Sequence, residues 1–299
     1  MTSKIDLHIH STYSDGVLTP KQIIDVAKSN NVDTISIADH DTIDAYTDEL
    51  FEYAKKQEVN IIPAVEMSTK YNGFGVHVLG YNFDLNNKEL LECLSLLKNA
   101  RVNYLLDVTK ALNNLGYHLN LEQLKQLPTV TKAHIALDVV NNPKNNDLLL
   151  KTFNHIPSKG EFIETIMNEN CPAYVKKFGI SPIQASKIIK QANGKVVLAH
   201  PIAYMHEDNV TTEHINTLVK EMNADGIEAN YIYIDRNNNV FNDSTYWSNY
   251  AKENNLFTTI GSDFHNEDKL HPTIGFTNTT FTITEEEINN TLNKLKGFN

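Results

Sequence analysis

The chain is poor in cysteine: two, Cys93 and Cys171, among 299 residues. They form no C-x-x-C pair and are too few for a disulfide framework, so they are expected to be reduced packing residues in a cytoplasmic protein. Long apolar runs are missing. No stretch approaches the ~20 residues of a membrane span, and the N-terminus enters a strand with no basic segment or apolar h-region, so no signal peptide is expected. Positive charge is in deficit, with 26 Lys and Arg against 37 Asp and Glu for a net charge of -11. That argues against a protein held on duplex nucleic acid by a broad basic face. A phosphorylated substrate stays open, because bound metal ions reverse the sign locally. No sequence repeat at a solenoid-like period is present. What remains is ordinary globular material, 41% hydrophobic and 21% charged, long enough for one large domain or one domain with an insertion.

The most informative stretch is the first, Asp6-Leu7-His8-Ile9-His10, with Asp15-Gly16 after it. Residues 5–9 read as a strand. Alternation puts His8 and His10 on one face, where two imidazoles suit a metal ion, with Asp6 on the same face as a candidate orienting group. Thr19-Pro20 then opens a helix to about residue 30. A strand over 34–38 ends in Asp39-His40-Asp41, a helix covers 44–57, a third strand over 60–65 ends on Glu66, and a fourth over 76–81 holds His77. Strands alternating with helices predict a parallel sheet. From 88 to 170 the periodicity is helical (88–112, 121–127, 134–140), with an asparagine-rich loop over 141–146, and reads as a small insertion. Alternation then resumes. A strand over 195–199 ends on His200, a helix follows over 211–222, a strand over 226–229, a helix over 244–254, and a strand over 257–260 ends in Gly261-Ser262-Asp263-Phe264-His265. A last helix begins at Thr284.

In a parallel barrel the C-terminal strand ends share one face, and that face carries the chemistry. His8, His10, Asp15, His40, Glu66, His77, His200, Asp263 and His265 are therefore expected to converge there. Any one of these histidines alone is more readily a satisfied buried group. The mixed imidazole and carboxylate set suits Mn, Fe or Zn. Asp39 and Asp41 are candidates for supporting roles, and Trp247 is expected in the core.

These motifs in this order (Asp-Leu-His-Ile-His-Ser, Ala38-Asp39-His40-Asp41, Ala64-Val65-Glu66, Leu198-Ala199-His200-Pro201 and Gly261-Ser262-Asp263-Phe264-His265) resemble the PHP, or polymerase and histidinol phosphatase, family across nearly the whole chain. The resemblance implies a distorted TIM-like (β/α)7 barrel, residues 1–87 and 171–299, with 88–170 as a helical insertion contributing to substrate binding. It also implies three divalent ions. The first would be held by His8, His10, Glu66 and Asp263, the second by Glu66, His77 and His200, and the third by Asp15, His40 and His265. Three such ions outweigh three ligand carboxylates and leave the site positive, suited to phosphate. A metal-bridging hydroxide is the expected nucleophile.

Thr131-Lys132-Ala133-His134-Ile135-Ala136 and Pro172-Ala173-Tyr174-Val175 resemble a bacterial subgroup of that family, in which an Arg-Pro-His-Ile-Ala pattern occurs. Lys132 stands where that pattern has arginine and loses the bidentate fork. Lys132, His134 and Lys176 are the expected phosphate contacts, with Arg236 a weaker one. Tyr174, Tyr231 and Tyr233 are candidates to stack a base. His118, His155, His206, His214 and His271 are read as surface or loop residues. The subgroup implies removal of the 3′-phosphate from nucleoside 3′,5′-bisphosphates, with trimming of short 5′-phosphorylated RNA. The alternatives are a histidinol phosphate phosphatase and a non-catalytic metal-binding module. A monomer is expected.

Overall fold

The computed structural model describes residues 4–127, 130–176, 178–207, 210–235, 237–266, 272–278 and 283–296; Arg236 and His271 lie outside them. The chain divides into two compact units, residues 1–94 with 180–299, and residues 95–179.

In the first unit β1 (Ile5–Ile9) is followed by α1 (Pro20–Ser29), β2 (Thr34–Ile37), α2 (Asp48–Gln57), β3 (Asn60–Ile61), β4 (Ala64–Tyr71) and β5 (Phe74–Tyr81). Helix α1 begins as its sequence requires: Thr19 caps it in a reciprocal box with Gln22, Pro20 occupies the first turn, and Ile23, Ile24 and Ala27 are buried. A long helix, α3 (Lys88–Asn114), enters the second unit, which continues with α4 (Leu121–Lys125), α5 (Lys132–Asn141), α6 (Asn146–Phe153) and α7 (Lys159–Phe162). The asparagine-rich segment read as a loop is instead a 3-10 turn, Pro143–Asn145, running straight into α6. The first unit resumes with α8 (Pro182–Gln191), β6 (Lys195–Leu198), α9 (Pro201–Glu207), α10 (Thr212–Met222), β7 (Gly226–Asn230), the short ribbon β8 (Tyr233–Ile234) and β9 (Val240–Phe241), α11 (Ser244–Glu253), β10 (Phe257–Ile260) and α12 (Glu285–Lys296). No described helix is long and apolar enough to cross a membrane.

Beside the β8–β9 ribbon, two larger sheets build the first unit among the described residues: β1-β2-β3, all parallel, and β10-β7-β6-β5-β4. The fold is mixed α/β, and among the described residues its ladders do not form one closed sheet. Among the described residues, isolated bridges outside the ladders link the two: Ile9↔Phe264, from β1 to the loop after β10, and His40↔Glu66, from the loop after β2 to β4. Two registers slip within the sheets, β1–β2 between Asp6 and Ile9 and β7–β10 between Thr259 and Ile260.

The all-parallel expectation fails at β5, which runs antiparallel to both β4 and β6. The cause is local. Tyr71 pairs with Phe74, leaving a two-residue turn, Asn72-Gly73, with both residues at positive φ (47° and 96°). That is a hairpin turn, whereas a parallel connection needs a dozen residues or more. Likewise Glu66 lies inside β4 rather than at the end of a strand, because Pro63 separates β3 from β4.

Two apolar clusters pack in this unit, one around Leu7, Leu79, Tyr81 and Val197, the other around Ile9, Ile24, Ile37 and Phe264. The second unit has its own core, with Val108, Leu112, Ile135, Val139 and Phe162 at its centre. Trp247, on α11, is 1% exposed, as expected of a core residue.

Candidate metal centre

All nine predicted residues converge in the first unit, in three groups whose ligand atoms lie within reach of one ion each. Four side chains form the tightest group. His8 Nε2 lies 3.4 Å from Glu66 Oε1 and 3.3 Å from Asp263 Oδ1. His10 Nε2 lies 3.3 Å from Glu66 Oε2 and 3.1 Å from Asp263 Oδ1. The two imidazole Nε2 atoms are 3.2 Å apart. A tetrahedron of ligands about 2.0–2.1 Å from a central ion has edges of about 3.3–3.4 Å, so these spacings match a single shared centre. Hydrogen bonding explains them less well, since one N–H cannot point at several acceptors.

The second group is equally close. Glu66 Oε1 lies 3.0 Å from His77 Nδ1 and 3.1 Å from His200 Nε2, and those two nitrogens are 3.3 Å apart. Glu66 thus faces two groups through one carboxylate. His77 arrives from the middle of β5, opposite Ser68, not from a C-terminal strand end. The third group, Asp15, His40 and His265, also includes His10, whose ring stacks on that of His265 at 4.0 Å. His40 faces both sides, with Nδ1 3.0 Å from Glu66 and Nε2 3.8 Å from Asp15.

The donors fit cations. Asp15 Oδ1, Glu66 Oε2 and Asp263 Oδ1 are buried and accept no hydrogen bond in proper alignment, although buried carboxylate oxygens are ordinarily satisfied. The electrostatics agree. Burial works against charge on His8, but Glu228, Glu66 and Asp263 outweigh it and hold its pKa well above the usual imidazole range. His10 is pushed up to about 10, burial again being overcome by Asp263, Glu66 and Asp15. His77 is raised against burial, chiefly by Glu66. Burial would raise the carboxyl groups of Glu66 and Asp263, yet the surrounding imidazoles hold both well below the usual range. His40 is pushed down to about 4 by burial, despite Glu66 and Asp15. Positive charge is thus favoured at His8, His10 and His77 and disfavoured at His40.

The backbone is bent to present these groups. Asp263 sits at φ 53° and His200 at φ 22°, a left-handed region sparsely used by side-chain-bearing residues. Three aspartates hold the frame. Asp6 accepts from the backbone N–H groups of His8, Ser262 and Gly275, tying β1 to the loop that carries Asp263. Asp39 accepts from Ser11 N, Ser11 Oγ and Ser14 Oγ, and Ser14 Oγ lies 3.4 Å from His10 Nδ1. Asp41 accepts from Ser68 N. His265 Nδ1 donates to the Asp263 carbonyl at 2.8 Å, leaving its Nε2 lone pair toward Asp15.

One member of this frame was not singled out from the sequence: Glu228, fully buried on β7, whose carboxylate lies 3.0 Å from His8 Nδ1. An acid between Ile227 and Ala229 in a buried strand is itself the signal, since carboxylates are seldom fully buried without a partner.

A cavity of about 390 Å³ opens over the cluster, lined among others by His77, Tyr204, Glu207, Tyr231 and Tyr233. Tyr231 donates to Asp263 Oδ2 at 3.3 Å, and Tyr204 accepts from the His77 backbone N–H at 2.8 Å. Tyr233 donates to Glu207 and stacks on His206.

Lys132, His134 and Lys176 lie in the second unit. Lys132 Nζ donates to Asn168 Oδ1 at 3.0 Å. His134 Nδ1 accepts from Thr131 N in the capping box of α5, so the proton of the neutral ring sits on Nε2. The same arrangement joins Thr211 and His214 at α10, so capping by itself explains a histidine at this position. Lys176 is exposed beside Tyr104 and Phe178, and Tyr174 is exposed too.

The model of the PHP domain matches residues 6–168. A 5′-3′ exoribonuclease of Haemophilus influenzae is 30% identical over 270 residues, 89% of this chain and 91% of that one. A 3′,5′-nucleoside bisphosphate phosphatase of Chromobacterium violaceum is 24% identical over 267 residues, 88% of this chain and 87% of that one. In fold the chain resembles the structure of an amidohydrolase from Chromobacterium violaceum with bound sulfate and no metal. The TM-score is 0.72 at 21% identity, covering 96% of this chain and 97% of that one.

Proposed function

The chain belongs to the PHP domain family and is a metal-dependent phosphoesterase; from that premise we propose that it removes the 3′-phosphate of nucleoside 3′,5′-bisphosphates and trims short 5′-phosphorylated RNA. The single observation behind a hydrolytic centre is Glu66, one carboxylate facing two donor groups. His8, His10, Glu66 and Asp263 would hold one ion, Glu66, His77 and His200 a second, and Asp15, His40 and His265 a third. Bound Mn, Fe or Zn ions supply Lewis-acid polarisation of the phosphate and an activated water.

The chain's own residues do the rest. The frame of Asp6, Asp39 and Asp41 keeps the donors in place, and Tyr231 and Tyr204 line the cavity beside them. The cavity lies within the size range of small-molecule sites. Tyr233 is our candidate for the base. Lys132, His134 and Lys176 are our candidates for the second phosphate, on the strength of two cations and a ring whose Nε2–H is a donor. We read the two sheets as parts of a distorted barrel, and residues 95–179 as the element of selectivity.

The test is phosphate release from Mn-loaded protein, comparing adenosine 3′,5′-bisphosphate, a short 5′-phosphorylated RNA and histidinol phosphate. Preference for the bisphosphate with loss of its 3′-phosphate is expected. Preference for histidinol phosphate overturns the substrate assignment, and release from none of them leaves a metal-binding module.

A further inference from the structure

Glu228 uses both of its oxygens. Oε1 and Oε2 lie 3.0 and 3.2 Å from His8 Nδ1, and Oε2 lies 2.9 Å from the backbone N of His200. Both partners can act as donors here. A carboxylate only accepts in its ionised form, so it holds a His8 proton on Nδ1 and leaves Nε2, which faces Glu66 and Asp263, as the nitrogen that would give its lone pair to an ion. The second contact fixes the N–H of a residue whose backbone is itself bent into the left-handed region. His8 belongs to the first donor group and His200 to the second. The two residues are far apart in sequence, and β7 is where one side chain reaches both.

Gly261 supplies an independent observation. Its backbone is not left-handed, so no turn requires glycine there. A β-carbon at this position would fall 2.4 Å from Glu228 Oε1 and 2.4 Å from His8 Cβ. Glycine is needed because the Glu228–His8 contact occupies that space.

We propose that Glu228 is a positioning residue shared by two ion-holding groups, setting the His8 tautomer for one and the His200 backbone for the other. This rests on the metal reading of the nine donors. Glutamine cannot replace it, because its NH₂ would meet either the His8 Nδ1–H or the His200 N–H. Gly261 is the residue that admits it.

The experiment is competition for Zn²⁺ between the metal-free protein and a chromophoric chelator, with circular dichroism to confirm that each variant is folded. Folded Glu228→Gln is expected to hold Zn²⁺ about 10–100-fold more weakly than the wild type, the usual effect of losing an outer partner of a metal-bound histidine. Wild-type affinity in folded Glu228→Gln overturns the proposal, because a purely architectural carboxylate would lower the melting temperature and leave affinity alone. If Glu228→Gln does not fold, Glu228→Asp and Gly261→Ala decide. The first keeps two acceptors one methylene short, and the second keeps Glu228 but crowds it. Weakened binding in both supports the proposal, and wild-type binding in either overturns it. If the wild-type chain takes up no ion at all, the metal reading falls and this proposal with it.

Discussion

Glu66 places its two oxygens 3.0 Å from different imidazoles, Oε1 from His77 and Oε2 from His40. Glu66→Gln should therefore strip more metal than any change confined to the third group, such as His265→Ala. Metal analysis after dialysis checks the order, and equal losses would refute it. Asp263→Asn should lower turnover by about two orders of magnitude or more, because it removes one corner of the tightest group. Charge at the cluster also predicts a pH dependence for the metal-free protein. His8, His10 and His77 have folded pKa values above the ordinary value of about 6.5. Their contribution is fully present below that value and is lost as pH rises through the folded values, about 10 for His10. His40, pushed down to about 4, acts in the opposite sense, but only below 6.5. On the alkaline side nothing offsets the loss from these three imidazoles. Chelator-treated protein should melt at lower temperature at pH 9 than at pH 6.5. With metal bound the imidazoles are already neutral, so the difference should shrink; thermal melts of both forms test this.

At the scale of elements, what could be read ahead depended on how local the cause was. The α1 start and the β1 alternation are settled within a few residues, so Thr19-Pro20 and His8-x-His10 were legible. The β4–β5 hairpin is also local, but its signal is the Asn72-Gly73 pair, and the alternation of strands and helices pointed elsewhere. His77 therefore came to the right place by an unexpected route, from an antiparallel strand. The helices of residues 95–179 are carried by periodicity and caps. In α5 the cap joins Thr131 to His134. Thr131→Ala should cost about 1 kcal/mol of stability and leave metal content unchanged. Denaturant titration with metal analysis separates the two effects, and a loss of metal would contradict the assignment of the ions to residues 1–94 and 180–299.

For the whole molecule, a chain of net charge -11 is expected to act on phosphate only with cations bound. Chelation should abolish phosphate release and lower the melting temperature, and Mn²⁺ should restore both. Duplex DNA should bind weakly, if at all, in filter or mobility assays at physiological salt, since few cations are available to release its counterions. By itself the sequence determined the chemistry: nine donors of metal-binding type, their order and their family, because residue type and short-range spacing are written along the chain. Tertiary structure decided which donors lie together and what stands behind them. Glu66 joins two groups, His10 reaches a third, and Glu228 stands behind His8 across 220 residues of sequence. Such pairings follow from strand order and register, which arise from packing a common core and leave no mark in local sequence.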